Sequence, residues 1–398
     1  SGVEFEKDPR RKFFVGAPAV FKPYFGQGYR ETVMSELIPN TVWAFEQSQE
    51  LGALAVNIRC SVVRLESGGL WVHAPVFPTD EFLSQLDSLG GSVEHVVLPT
   101  YALEHKIPLQ AFISKLKKRG GQQPKVWSVP DTWSFPIDLP NQWLGIPVDG
   151  VLGSSMASLS WQDEIDFDIL RIADVGKPFV EAVFFHKKSK VLLVTDVVYQ
   201  IPRDPPKVIP SELLLEVAPD DPNVAVVNNK QAREQAWAKM ALLVAFFIPA
   251  RQRIVDGGKA EWQSGYMKSF DVLSDGLVVS PILQKLVFEK ASPTIRDWLQ
   301  RLERWDFETI IPAHYDAPVA ADISSLRKAF SFAFPDEEPR ALPEEDMKTL
   351  NDLGEVIKGV GSSESGDIYS KLFDKFFKNL FIEKPGWLEK GGNNDDNA

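Results

Sequence analysis

The chain has 398 residues, 44% of them hydrophobic, with 43 basic against 55 acidic side chains and a formal charge of −12. Such a length and composition fit a globular protein with a full core, built as one large domain with extensions or as two domains. The acidic balance without a dense Lys/Arg cluster argues against nucleic-acid binding. The single cysteine, Cys60, excludes an internal disulfide and any cysteine-based zinc site, and no apolar run reaches the roughly 18–20 residues of a transmembrane helix.

The chain begins at Ser1 and not at methionine, which fits a trimmed product whose targeting segment has been removed. Residues 1–40, rich in Gly, Pro and aromatics, read as an irregular arm. From TVWAFEQ through IRCSVVRLESGGLWVH, short apolar runs broken by turns predict an antiparallel meander, with Cys60 buried in it as a small hydrophobe. Thr79 then caps a predicted helix over TDEFLSQLDSLG, and VEHVVLP follows as a β-α-β partner of GLWVH. After a loop at 100–107, Pro108 is expected to open a second helix, LQAFISKLKKRGG.

DFDILRIADVG and PFVEAVFFHKKSKVLLVTD predict three strands, with Lys187, Lys188 and Lys190 at a hairpin tip. His186 beside that tip is expected to be exposed. Residues 202–223 read as an inserted Pro- and acid-rich loop with one short helix. The segments REQAWAKMALLVAFF and PTIRDWLQRLERW are further predicted helices. The tryptophans at 127, 133, 143 and 161 read as core or interface residues. The main domain is taken as 41–335 and a polar tail as 336–398. Within that tail, 371–381 is a predicted amphipathic helix suited to docking on its own domain, a partner or a peripheral membrane surface.

Four apolar runs end on a histidine or an acid: GLWVH (69–73), HVVLPTYALEH (95–105), VLLVTD (191–196) and TIIPAH (309–314). Each reads as a buried strand carrying a polar group to its C-terminal end, where layered α/β proteins keep their ligand crevice. The candidate ligands are therefore His73, Glu104, His105, Asp196 and His314. Imidazole and carboxylate donors suit zinc, iron or manganese.

The order of these features resembles the metallo-β-lactamase fold, an α/β (α+β) four-layer αββα sandwich with metals at one edge. In that family a strand enters a Thr-His-x-His-x-Asp-His loop, a later strand ends in Gly-Asp and a last one in Gly-His. The corresponding segments are PTYALEHK, VTDVV and IPAHYD. The resemblance places the Asp-His pair on Glu104 and His105, the bridging aspartate on Asp196 and the final histidine on His314. The first two loop histidines are missing, with Tyr101, Ala102 and Leu103 in that stretch, and ADVGKPFVEAVFF offers only Glu181 where another histidine is expected.

The first metal site of the family is thus dismantled, and the resemblance implies at most one divalent metal (Zn, Fe or Mn), or none. Its ligands would be His105, Asp196, His314 and Glu104, with Asp196 and Glu104 as the catalytic pair. His73 stands where the family keeps a loop-orienting aspartate. Over about 30–320 the chain looks similar to the DUF4336-type branch of plants, algae and cyanobacteria, which implies a chloroplast location and leaves the activity unassigned. Two functions stay open: a metal-dependent hydrolase of an unknown small-molecule substrate, and a pseudoenzyme that serves as a scaffold for other chloroplast proteins or a thylakoid surface.

Overall fold

The computed structural model describes residues 8–14, 28–51, 54–131, 139–154, 159–173, 178–247, 249–255 and 260–358. Among them, a seven-stranded sheet follows chain order: β1 (Val33–Ile38), β2 (Val42–Leu51), β3 (Leu54–Arg64), β4 (Leu70–His73), β5 (Val93–Leu98), β6 (Lys125–Ser128) and β7 (Gly150–Val151). The first four strands run antiparallel as the predicted meander, and β4 to β7 are parallel. A second sheet has five strands: β8 (Ile165–Ile172), β9 (Phe179–His186), β10 (Val191–Leu193), β11 (Thr309–Ile311) and β12 (Val319–Ala320). The seven-stranded sheet starts at Val33, inside the segment read as an arm.

Strand alternation divides neighbouring residues between different cores. Val63, Val97, Phe184 and Ile311 fill the space between the two sheets with Trp71 and Trp127. Val62 and Val96 face the other way, onto α1 (Asp80–Ser88) and α2 (Leu103–Arg119) through Phe82, Leu86 and Phe112. On the far side Val183, Phe185 and Ile310 meet Ile295, Trp298 and Leu302 of α6 (Ser292–Leu302). Helix, sheet, sheet and helix layers result, as the expected αββα sandwich. The predicted Thr79 cap is in place, its hydroxyl accepting from the Phe82 N–H, and Cys60 is fully buried.

A further apolar cluster lies around α4 (Lys230–Phe246), whose Trp237, Met240 and Leu242 pack with Tyr199 and Tyr315. The 202–223 loop carries its predicted short helix, α3 (Ser211–Val217). In the segment read as a tail, α8 (Glu344–Lys358) buries Met347 and Leu350 in the same cluster. The predicted 371–381 helix lies outside the described residues. No helix among the described residues is long and apolar enough to cross a membrane.

Two expectations are corrected. Trp127 and Trp161 are buried, but Trp143 is 78% exposed, because it sits in the turn that follows Pro140 and not on a strand or helix; Trp133 is outside the described residues. His186 is only 2% exposed. It is the last residue of β9, paired with Ile165 and Val191, and strand alternation puts it on the same face as Val180, Ala182 and Phe184. Its Nδ1 lies 2.6 Å from the Ser189 hydroxyl.

Burial, assisted by Lys188, depresses the His186 pKa to about 4, against about 6.5 for an unfolded histidine. Between these values the unfolded chain holds a proton that the folded chain lacks. Stability therefore rises with pH across this window and is lost as pH falls from about 6.5 through about 4. With partial solvent screening the contribution is ~1–2 kcal/mol. His186→Gln should flatten the urea-midpoint profile between pH 4 and 6.5 by that amount, and an unchanged slope would rule the assignment out.

Candidate metal centre

Three of the strand-end residues converge. His105, Asp196 and His314 each place one donor atom within 4.8 Å of the others, although up to 209 positions separate them in the chain. His314 Nε2 is 3.3 Å from Asp196 Oδ1, and the rings of His105 and His314 lie 5.6 Å apart between centroids. Donors around a tetrahedral zinc ion stand roughly 3.3–3.6 Å apart, given bonds of about 2.0–2.2 Å. The pair is already within that spacing, and the third donor stands within 4.8 Å of both.

His105 makes the strongest test of whether an ion fits. The residue is fully buried, and among the described residues neither ring nitrogen has a hydrogen-bond partner. Burying unpaired polar groups costs about 1–3 kcal/mol each, and a cation at this point would satisfy a nitrogen that the protein does not. Two imidazoles and a carboxylate also form a donor set suited to a divalent transition metal. The residues present fit such an ion.

Local structure places each donor differently. His105 is the third residue of α2 and not part of a loop before it; the helix starts at Leu103, with Pro108 inside it. Proline at that depth removes one backbone bond, yet Leu103, Ile107, Leu109 and Phe112 are all buried, and this packing outweighs the loss. His105 therefore arrives on a helix end seven residues beyond β5. Asp196 and His314 follow β10 and β11 by three residues each, as expected of strand ends.

Neighbours on β3 hold His314 in place. Its Nδ1 donates to the Asn57 carbonyl at 2.9 Å, which fixes the proton on Nδ1 and turns Nε2 toward Asp196. The Asn57 side chain accepts from Tyr315 N at 2.8 Å and donates to Tyr315 O at 2.9 Å. Tyr315 has φ +60°, a left-handed conformation that a non-glycine residue keeps only when its surroundings over-determine it. Arg59 bonds the Pro312 and Tyr315 carbonyls and Glu46. The Asp196 turn is held by Glu181, whose carboxylate accepts from Thr195 N at 2.6 Å, Asp196 N at 2.8 Å and Val197 N at 3.0 Å.

The charges at the centre are interdependent. Burial opposes ionisation of Asp196, but the His314 hydrogen bond and the two imidazoles hold its carboxyl below the usual range. Burial likewise opposes a proton on His314, and Asp196 outweighs it, so the His314 pKa is raised. Glu104 and Glu181 are both pushed up, by burial first and by the Asp196 charge second. His105 falls to about 4, chiefly through burial.

Glu104 thus senses the centre electrostatically, yet it stands outside the group of three mutually close donors. His73 does too. Its ring stacks on Trp71 with centroids 6.0 Å apart and meets Phe184 at 5.6 Å, Nε2 is unpartnered, and burial, then His105, lowers its pKa to about 3. Asn57, Arg59 and Glu181 had no place in the expected site. Their signal in the sequence is a polar residue inside an otherwise apolar strand, NIRC in LAVNIRCSVV and E in FVEAVFF.

A family model described as a domain of unknown function (DUF4336) matches residues 39–332. No curated protein matches the chain. Among solved structures the chain is similar to a metallo-β-lactamase from Pontibacter korlensis, at 11% identity and a TM-score of 0.38, over 75% of this chain and 98% of that one. It is also similar to the metal-soaked Flv1 flavodiiron core from Synechocystis sp. PCC6803, at 11% identity and 0.40, over 76% and 61%. A flavoprotein from Thermotoga maritima gives 10% identity and 0.42, over 77% and 62%. The chain spans about three fifths of the length of these last two.

Proposed function

The chain belongs to the DUF4336 family, and from that premise we propose that it is a metal-dependent hydrolase with a single divalent ion held by His105, Asp196 and His314. Glu104 is the further ligand or the proton acceptor. The observation that carries this reading is His105, buried with both ring nitrogens unpartnered beside Asp196 and His314. When bound, an ion in such a site polarises a substrate oxygen and brings the pKa of a coordinated water toward neutrality. The chain's own groups do the rest. Asn57 and Glu181 orient the donors His314 and Asp196, and Glu104, next to His105 and electrostatically coupled to Asp196, would serve as the proton acceptor. The substrate class is an ester, thioester, amide or phosphate, and the chloroplast location belongs to the same reading.

A non-catalytic scaffold is the second reading, favoured by the complete burial of His105, which restricts access of substrate to the centre. Metal content separates the two. Plasma mass spectrometry of the purified full chain, after dialysis with Zn²⁺, Fe²⁺ or Mn²⁺, should give about one ion per chain for one of these metals. A well-folded chain that takes up none of them leaves only the scaffold.

A further inference from the structure

We propose that Glu181 is the positioning residue of this centre, setting the Asp196 turn against the His105 helix and limiting the site to one ion; this rests on the metal-binding reading. Every residue of β9 is buried, and among the six apolar side chains that share the strand with it before His186, an acid persists only if both its oxygens accept hydrogen bonds. Those of Glu181 do. One oxygen accepts from Thr195 N and the other from Asp196 N and Val197 N, so three consecutive amides converge on one carboxylate just after β10 ends. This is a backbone nest closed by a side chain.

The backbone beside this residue ties to the other half of the centre. Glu181 forms a bridge with Thr100, and Ala182 N donates to Pro99 O at 2.7 Å. The 99–102 segment leads directly from β5 into α2 and His105. Two adjacent residues therefore join two of the three donor-bearing segments, the Ala182 main chain holding the approach to His105 and the Glu181 side chain holding the Asp196 turn. Both oxygens already accept from amides, so a second ion at this carboxylate would compete with the bonds that hold the Asp196 turn.

The test uses Glu181→Gln in the full chain, which keeps the shape but replaces one accepting oxygen by an amide that faces N–H groups. A control, Leu86→Ala on α1, truncates the core on the other sheet. Amide exchange of Thr195, Asp196 and Val197 is read in the metal-free protein, and Co²⁺ affinity, stoichiometry and absorption spectrum are read by titration. Glu181→Gln should speed exchange at the three amides, weaken Co²⁺ binding by ~10–100-fold and alter its spectrum. Leu86→Ala should lower the melting temperature with none of these changes, and the wild type should saturate at one Co²⁺. A wild type that binds Co²⁺ with a Glu181→Gln variant that binds equally well, or a wild type that takes two ions, overturns this proposal alone. A wild type that binds no Co²⁺ overturns the metal reading and this proposal with it.

Discussion

His314→Ala and Asp196→Asn are each expected to weaken divalent-metal binding by ~10²–10³-fold, since a zinc site of four ligands is worth ~10–16 kcal/mol and one donor therefore ~3–4 kcal/mol. The two variants should part company without metal. In the metal-free chain Asp196 raises the pKa of both Glu104 and Glu181 by like-charge repulsion. Asp196→Asn removes that repulsion together with the ion pair to His314, two effects of opposite sign, so its melting temperature should change little while metal affinity collapses. His314→Ala instead removes the bond to the Asn57 carbonyl and leaves the Asp196 anion facing Glu104 without its imidazole partner. Its melting temperature should fall together with affinity. Competition against a chromophoric chelator and thermal melting of the metal-free proteins read both quantities. An Asp196→Asn protein that keeps wild-type affinity would remove Asp196 from the centre. Stability kept where binding is lost is the expected signature of groups held together for function.

The sandwich is legible in the chain because burial on both faces leaves uninterrupted runs such as LWVH, VEHVVL and FVEAVFFH, and the turns between them carry Gly, Pro or Lys. Asp196 and His314 are legible for the same reason, each lying three residues past such a run. His105 is harder. The proline at 108 looks like a helix start, and only the packing of Leu103 and Ile107 on the core extends α2 back across it. His186 misleads through its neighbours: the text after it is basic and solvated, but the strand continues one residue further than the turn composition implies, and its side chain falls inward. Trp143 errs the other way, since residue type favours burial while a turn offers nothing to pack against. The positioning groups were least visible. Asn57, Arg59 and Glu181 act through backbone amides and carbonyls of segments up to 258 positions away, and no spacing in one sequence registers a side chain bonded to a distant main chain.

Arg59 offers the largest expected stability effect. Its side chain is 2% exposed and is paired with Glu46, itself 20% exposed. Its guanidinium also bonds the carbonyls of Pro312 and Tyr315, while its main-chain N–H reaches Ala313 O at 2.7 Å. Burial works against the guanidinium charge, and Glu46 opposes that effect. Arg59→Ala leaves Glu46 without its cation and the Pro312 carbonyl without its side-chain donor, with Asn57 still bonding Glu46 and the Tyr315 carbonyl, and breaking a buried pair by removing one member costs ~3–5 kcal/mol. For a domain of this size that lowers the melting temperature by ~5–8 °C. Arg59→Lys should recover only part of the loss, because one ammonium cannot reproduce a planar fork that serves three acceptors. Arg119→Ala, which breaks the exposed pair with Asp87 at 40% and 55% exposure, should change stability by no more than ~0.5 kcal/mol. If Arg59→Ala melts with Arg119→Ala, the clamp on the His314 loop contributes nothing. Metal affinity should follow the clamp too, since the loop that Arg59 and Asn57 pin is the one that presents Nε2 to Asp196.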